Sequence, residues 1–93
     1  MARGKQVFVV FYDNNDPEVL GRFRLIRCAV FDSFWKAHEN LGKEIDYLYN
    51  KGGHIEHEWY NDESISDATC ASFSVRLPDG ELMNMNIVPS YIN

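Results

Sequence analysis

The sequence predicts a two-layer α+β fold: an antiparallel sheet of about five strands, in the chain order β-β-α-β-β-β, with one amphipathic helix on one face. Three observations predict it. Short β-branched and aromatic runs are separated by clusters of Asn, Asp, Gly and Pro, the punctuation of strands and turns. One segment, Phe31 to Tyr49, carries apolar residues at intervals of three and four, which marks a helix with a single buried stripe. The chain has 93 residues, 45% hydrophobic and 14% aromatic, enough for one core and too few for two, so residues 1–93 are read as a single domain.

Val7 to Tyr12 is apolar at every position, the composition of a strand buried on both faces. Asp13-Asn14-Asn15-Asp16-Pro17 then breaks it, because Asn and Asp side chains bond their own backbone and Pro fixes φ. The second strand, Leu20 to Cys28, puts Phe23 and Leu25 on one face and Arg22 and Arg24 on the other, and the two strands form a hairpin. The helix follows, with Phe31, Phe34, Trp35, His38, Leu41, Ile45, Leu48 and Tyr49 on its stripe. Asp32 or Ser33 caps its start and Gly52-Gly53 supplies its stop. Gly42 costs about 1 kcal/mol relative to Ala and is the place where the segment would divide into two helices.

Gly53 to Tyr60 reads as the third strand and Asn61 to Asp67 as a polar loop. The fourth strand, Thr69 to Leu77, sets Thr69, Ala71, Phe73, Val75 and Leu77 on one face and Cys70, Ser72, Ser74 and Arg76 on the other. Pro78-Asp79-Gly80 is a hairpin turn, with Gly available for positive φ. The fifth strand, Glu81 to Val88, turns Met83, Met85 and Ile87 to one face, and Pro89 ends it. Phe34, Leu41, Ile45 and Leu48 are expected on the sheet face that presents Phe73, Val75, Met83 and Met85.

The net charge of −5 is unevenly placed. Residues 1–36 carry six cations and four carboxylates; residues 37–93 carry three cations and ten carboxylates. That balance excludes direct nucleic-acid binding, which needs Lys and Arg to displace counterions, and it favours a basic protein partner. No membrane span is expected, since the longest apolar run, Val7 to Tyr12, is far short of the roughly 20 residues required. The opening Met1-Ala2-Arg3-Gly4-Lys5 lacks a signal-peptide pattern, and Cys28 and Cys70 read as reduced thiols, so the expected compartment is the cytoplasm.

Catalytic patterns are sparse. His54-Ile55-Glu56-His57-Glu58-Trp59-Tyr60 resembles a metal segment, but on a strand His54 and His57 point to opposite faces. Only His54, Glu56 and Glu58 would share one, and a solvated polar face is the plainer reading. His57, between Ile55 and Trp59, reads as a hydrogen-bonded core histidine, and His38 as part of the helix's packed stripe. Neither cysteine is marked as an activated nucleophile. Asp13 to Glu18 lacks the Gly and the terminal Glu of a calcium loop, and Arg3-Gly4-Lys5 has neither a phosphate-loop pattern nor a following helix. No cofactor and no metal is therefore assigned.

Two features stand above this background. Val7, Val9 and Phe11 on one face of the first strand, and Phe8, Val10 and Tyr12 on the other, all call for burial, while one helix covers one face. Phe8, Val10 and Tyr12 are assigned to self-association, as in a two-fold dimer. The second feature is a negative stripe of Glu56, Glu58, Asp62, Glu63 and Asp67, with Tyr60 among them and no Lys or Arg from Glu56 to Asp67. Alternate carboxylates on a strand recur every ~6.6–6.8 Å, close to the spacing of phosphates along a nucleic-acid strand.

In size, acidity and lack of catalytic motifs the chain looks like the small phage-encoded inhibitors of host defence, the anti-restriction and anti-CRISPR proteins. The likeness is one of class. It implies a non-enzymatic protein in the host cytoplasm that binds and inhibits a larger basic partner, a nuclease or a nucleic-acid-guided effector complex, through Glu56, Glu58, Tyr60, Asp62, Glu63 and Asp67. The rival readings are a homodimeric structural subunit and a small metal-dependent enzyme centred on His54, Glu56 and Glu58.

Overall fold

The strand-like runs pair as a single antiparallel sheet, seen in a computed structural model that describes residues 4–15 and 23–92. The elements are β1 (Lys5–Asn15), β2 (Phe23–Phe31), α1 (Phe34–Asn50), β3 (His54–Tyr60), a short 3-10 turn (Ile65–Asp67), β4 (Ala71–Arg76) and β5 (Leu82–Ile92). Their spatial order is β2-β1-β5-β4-β3. The expected order of one helix among five strands, in two layers, is therefore the observed one. Two hairpins, β1–β2 and β3–β4, flank β5, which pairs with β1 on one side and β4 on the other.

The helix begins where a side chain can satisfy its first orphan N–H groups: Ser33 Oγ accepts from the Lys36 N–H at 3.2 Å, so Ser33 rather than Asp32 is the cap. Asp32 instead pairs with Lys36 Nζ at 3.0 Å. The helix ends at Asn50, and the chain turns away at Gly52, whose φ of 91° is left-handed and open to glycine at little cost. The Gly52 N–H then reaches Tyr49 O at 3.0 Å and the Gly53 N–H reaches Leu48 O at 2.9 Å, closing the last turn. Gly42 does not divide the segment; α1 is one helix of 17 residues. Its propensity cost is outweighed by the stripe on either side of it.

α1 lies chiefly over β1, β2 and β5. Phe34, Ala37, Leu41 and Leu48 are buried in one cluster with Phe73 and Val75 of β4 and Met83, Met85 and Ile87 of β5, and Ile45 packs against it half-buried. The alternation read for β4 and β5 is thus the alternation of burial.

On β1 the helix takes the face of Phe8, Val10 and Tyr12, which are 7, 0 and 1% exposed. The Phe8 ring meets Phe34 edge-on at 6.1 Å, and the Tyr12 hydroxyl donates to Asn40 Oδ1 at 2.7 Å. This corrects their assignment to self-association: these three are core, and the face turned away from the helix carries Val7, Val9 and Phe11, of which Val7 is buried and the other two half-buried. Both faces of β1 are apolar in sequence, so composition gives no way to choose between them.

The ends of β1, β2 and β5 differ most from expectation. β1 continues through Asp13, Asn14 and Asn15 because β2 and β5 flank those residues on both sides. Asp16 to Arg22, including the Asp16-Pro17 break and the predicted start of the second strand at Leu20, lie outside the described residues, and β2 runs on to Phe31. β5 passes through Pro89, which pairs with Phe8 of β1. The pairing of β4 with β5 ends at Ile87, so at Pro89 the strand has one neighbour only, the setting in which a missing N–H is tolerated.

Packing and propensity give opposite signs for two adjacent helix positions. Leu41, 1% exposed, should lose about 2–5 kcal/mol on substitution by Ala. A methyl group at Gly42 meets nothing within 4 Å, so Gly42→Ala should stabilise by about 0.5–1 kcal/mol. Urea denaturation midpoints moving down for the first variant and up for the second are the expected outcome.

Candidate interaction surface

β3 is an outer strand of the sheet, and a bulge at Glu56 shifts its register against β4 between Ile55 and His57. Ile55 lies opposite Val75, Glu58 opposite Phe73 and Tyr60 opposite Ala71, all on the helix side; His57 and Trp59 lie opposite Ser74 and Ser72 on the other side. The extra residue therefore inverts the second half of the strand. His57 is exposed on the uncovered side instead of buried, which corrects its reading as a core histidine. Glu56 and Glu58 are on opposite sides, so the row of evenly spaced carboxylates does not form.

The same bulge separates the residues proposed for a metal. His54 Nε2 stands 3.8 Å from Glu56 Oε1, but Glu58 is on the helix side of the sheet. Among the described residues no group of three or more His, Cys, Asp or Glu is arranged to hold a metal ion. Glu56 is instead held by Arg76, whose Nε and Nη2 donate to its two carboxylate oxygens at 3.0 Å each. That bidentate fork, with the charges of Arg76 and His54 behind it, keeps the Glu56 carboxyl below the usual carboxylate range.

Glu58 belongs to a different group. The Tyr60 hydroxyl donates to Glu58 Oε1 at 3.3 Å and stands 2.8 Å from His38 Nε2. The rings of His38, Tyr60 and Phe73 meet at centroid distances of 5.6–6.2 Å. These contacts tie the middle of α1 to the end of β3. Burial, then the charge of Glu58 and its hydrogen bond, pushes the Tyr60 hydroxyl up to about 12.

Beyond Tyr60 the chain turns through Asn61, whose side-chain oxygen accepts from the N–H groups of Thr69 and Cys70 at 2.9 and 3.1 Å. Asp62 Oδ1 accepts the Ser64 N–H at 2.9 Å, fixing the first bend of the loop. Asp62, Glu63 and Asp67 are all exposed. Among the described residues, the ion pairs formed neutralise Asp32 and Glu56 and leave Glu58, Asp62, Glu63 and Asp67 without a cation. The structure thus brings Glu58, Tyr60, Asp62, Glu63 and Asp67 to one strand end and its loop, and sets Glu56 apart.

The uncovered side of the sheet has two halves. On β1, β2 and β5, Val9 faces Val30 on one flank and Val88 on the other, with Val30 55% and Val88 42% exposed. Nearer β4 the side chains are polar: Ser74 Oγ donates to Asn84 Oδ1 at 2.8 Å, and Asn84 Nδ2 donates to Asp13 Oδ1 at 2.9 Å. Sequence reasoning missed Val30, Val88, Ile55 and Trp59 as surface residues. Alternation marked Ile55 and Trp59 as one buried face, and nothing in composition announces that β3 lies at an edge.

The perturbed hydroxyl has a definite sign. The native state holds a proton on Tyr60 that an unfolded chain releases near pH 10, so stability falls as pH rises from about 10 to 12. Tyr60→Phe should remove that part of the slope. Urea titrations at a series of alkaline pH values, compared between the two proteins, check it.

No protein family, curated protein or solved structure matches the chain.

Proposed function

We propose that this domain is a non-enzymatic interaction protein that binds and inhibits a larger basic protein that handles nucleic acid, in the manner of the phage-encoded inhibitors of host defence. The observation that carries the reading is the group of exposed carboxylates Glu58, Asp62, Glu63 and Asp67, which have no cation partner among the described residues. An uncompensated negative field at one corner of a domain of net charge −5 steers a basic groove toward that corner and disfavours acidic partners. Inhibition follows by occupancy: a groove filled by this corner is closed to a phosphate backbone. The unpaired thiols Cys28 and Cys70 fit action in a reducing cytoplasm, and among the described residues no helix is long and apolar enough to cross a membrane.

The test is kinetic. Against the partner purified from the native host, Glu58→Lys combined with Glu63→Lys should lower the association rate about tenfold or more and flatten its salt dependence, with folding retained. Nucleic acid should compete with the domain for that partner. An association rate indifferent to both salt and charge reversal sinks the reading.

A homodimer is the second reading, supported by the contiguous exposed patch of Val30, Val9 and Val88 rather than by Phe8, Val10 and Tyr12. It expects sedimentation at twice 10.8 kDa, reverting to the monomer mass in Val30→Lys combined with Val88→Lys. A wild-type chain that stays monomeric at all attainable concentrations removes it.

A further inference from the structure

The outer edge of β3 is more than a place where carboxylates sit. Asn61 donates its N–H to Cys70 O at 3.2 Å, while the Cys70 N–H returns to the Asn61 side chain, which sets Asn61 and Cys70 at a hydrogen-bonding position of the β3–β4 ladder. Antiparallel ladders alternate hydrogen-bonded and non-hydrogen-bonded pairs. Trp59 with Ser72 and His57 with Ser74 are then hydrogen-bonded, and Tyr60 with Ala71 and Glu58 with Phe73 are not. The backbone N–H and C=O groups of Glu58 and Tyr60 therefore point away from β4, and among the described residues no strand pairs with β3 on that side. Side chains on both faces of this edge are open: Ile55 is 45% exposed on the helix side and Trp59 49% exposed on the other.

Exposed edges invite a second copy of the same strand. Here charge opposes it. An antiparallel pairing of β3 with another β3 that uses Glu58 or Tyr60 sets Glu58 against Glu58, Glu56 against Asp62, or Glu58 against Asp62, depending on register, and directly opposed like charges destabilise a pair. A cationic strand meets the reverse situation, because Glu58 and the Asp62 and Glu63 that follow carry no cation among the described residues.

We propose that β3 takes up an extended basic segment of a partner protein as an added strand. Glu58 and Tyr60 supply the main-chain bonds. Lys or Arg of the segment stands opposite Glu58 on the helix side, and the alternate, apolar residues of the segment lie on the other side against Trp59. This deepens the reading of an acidic docking corner and rests on it: the same site gains a binding mode, β-strand addition, in which backbone bonds give affinity and alternate side chains give selectivity.

The probe is the capped peptide acetyl-Lys-Val-Lys-Val-Lys-Val-amide, titrated into the 93-residue chain and followed by amide chemical shifts and hydrogen exchange. Controls are its Glu-Val counterpart and the Lys-Val peptide N-methylated at every residue. The expected result is about tenfold or greater slowing of exchange at the Glu58 and Tyr60 amides with the Lys-Val peptide only, lost in Glu58→Lys. Binding that perturbs Asp62 and Glu63 without protecting those two amides, or that survives N-methylation, overturns strand addition and leaves the acidic docking corner standing. Absence of any response to the Lys-Val peptide overturns strand addition as well, and the kinetic test with the native partner then decides the docking reading separately. Glu58 and Tyr60 amides already protected in the peptide-free chain, increasingly so with protein concentration, would assign the edge to a second copy and overturn the proposal.

Discussion

A single helix supplies the whole second layer of this domain, and the arrangement follows from what one helix can shield. Seventeen residues of α1 form a rod about 25 Å long and about 10 Å across with its side chains. Five strands spaced about 4.8 Å apart make a sheet too broad for that rod. α1 lies chiefly over β1, β2 and β5, and on β5, as on β4, burial alternates residue by residue as far as Ile87. β3 falls beyond its cover: every residue from His54 to Trp59 is exposed. Among the described residues nothing forms a second layer on the opposite side of the sheet; β4 presents Ser72, Ser74 and Arg76 there, and the β3 side chains that share it are polar apart from Trp59. The acidic corner, the aromatic contacts around His38 and the valine patch are all placed by the limits of that one packed layer.

Much of this was legible in the residues. Period-two alternation in Ala71-Phe73-Val75 and Met83-Met85-Ile87 fixed which faces are buried, and the three-and-four spacing from Phe34 to Leu48 fixed the helix stripe, because both patterns are local consequences of backbone geometry. Long-range choices left no such trace. Placing β5 between β1 and β4 depends on contacts across the length of the chain, and Pro89 looked like a stop only because its single-neighbour setting could not be foreseen. β1, apolar on both faces, gave no sign that Phe8 and not Val9 would meet the helix.

The surface was less legible than the core, and one residue accounts for most of the difference. Read as a regular strand, Ile55-His57-Trp59 is a plausible buried face and His54-Glu56-Glu58 a plausible polar one. The bulge at Glu56 leaves no compositional mark, yet it reverses the side on which every later β3 residue stands. It dissolves the even carboxylate row and the three-residue metal set together. It also brings Tyr60 round to His38, which joins the strand end to the helix through a hydrogen bond as well as through ring packing.

The position of β5 also bears on how the molecule comes into being. Each hairpin can close locally, but only β5 joins them, and its register with β1 spans most of the chain, with Lys5 opposite Ile92. A nascent chain leaving the ribosome completes β1, β2, α1, β3 and β4 before β5 emerges. Until then it carries two open inner edges, those of β1 and β4, each an acceptor for a strand from a neighbouring chain. Ladders of such high contact order close slowly. Synthesis of this domain thus has an interval of exposure to aggregation whose length is set by the arrival of its final strand.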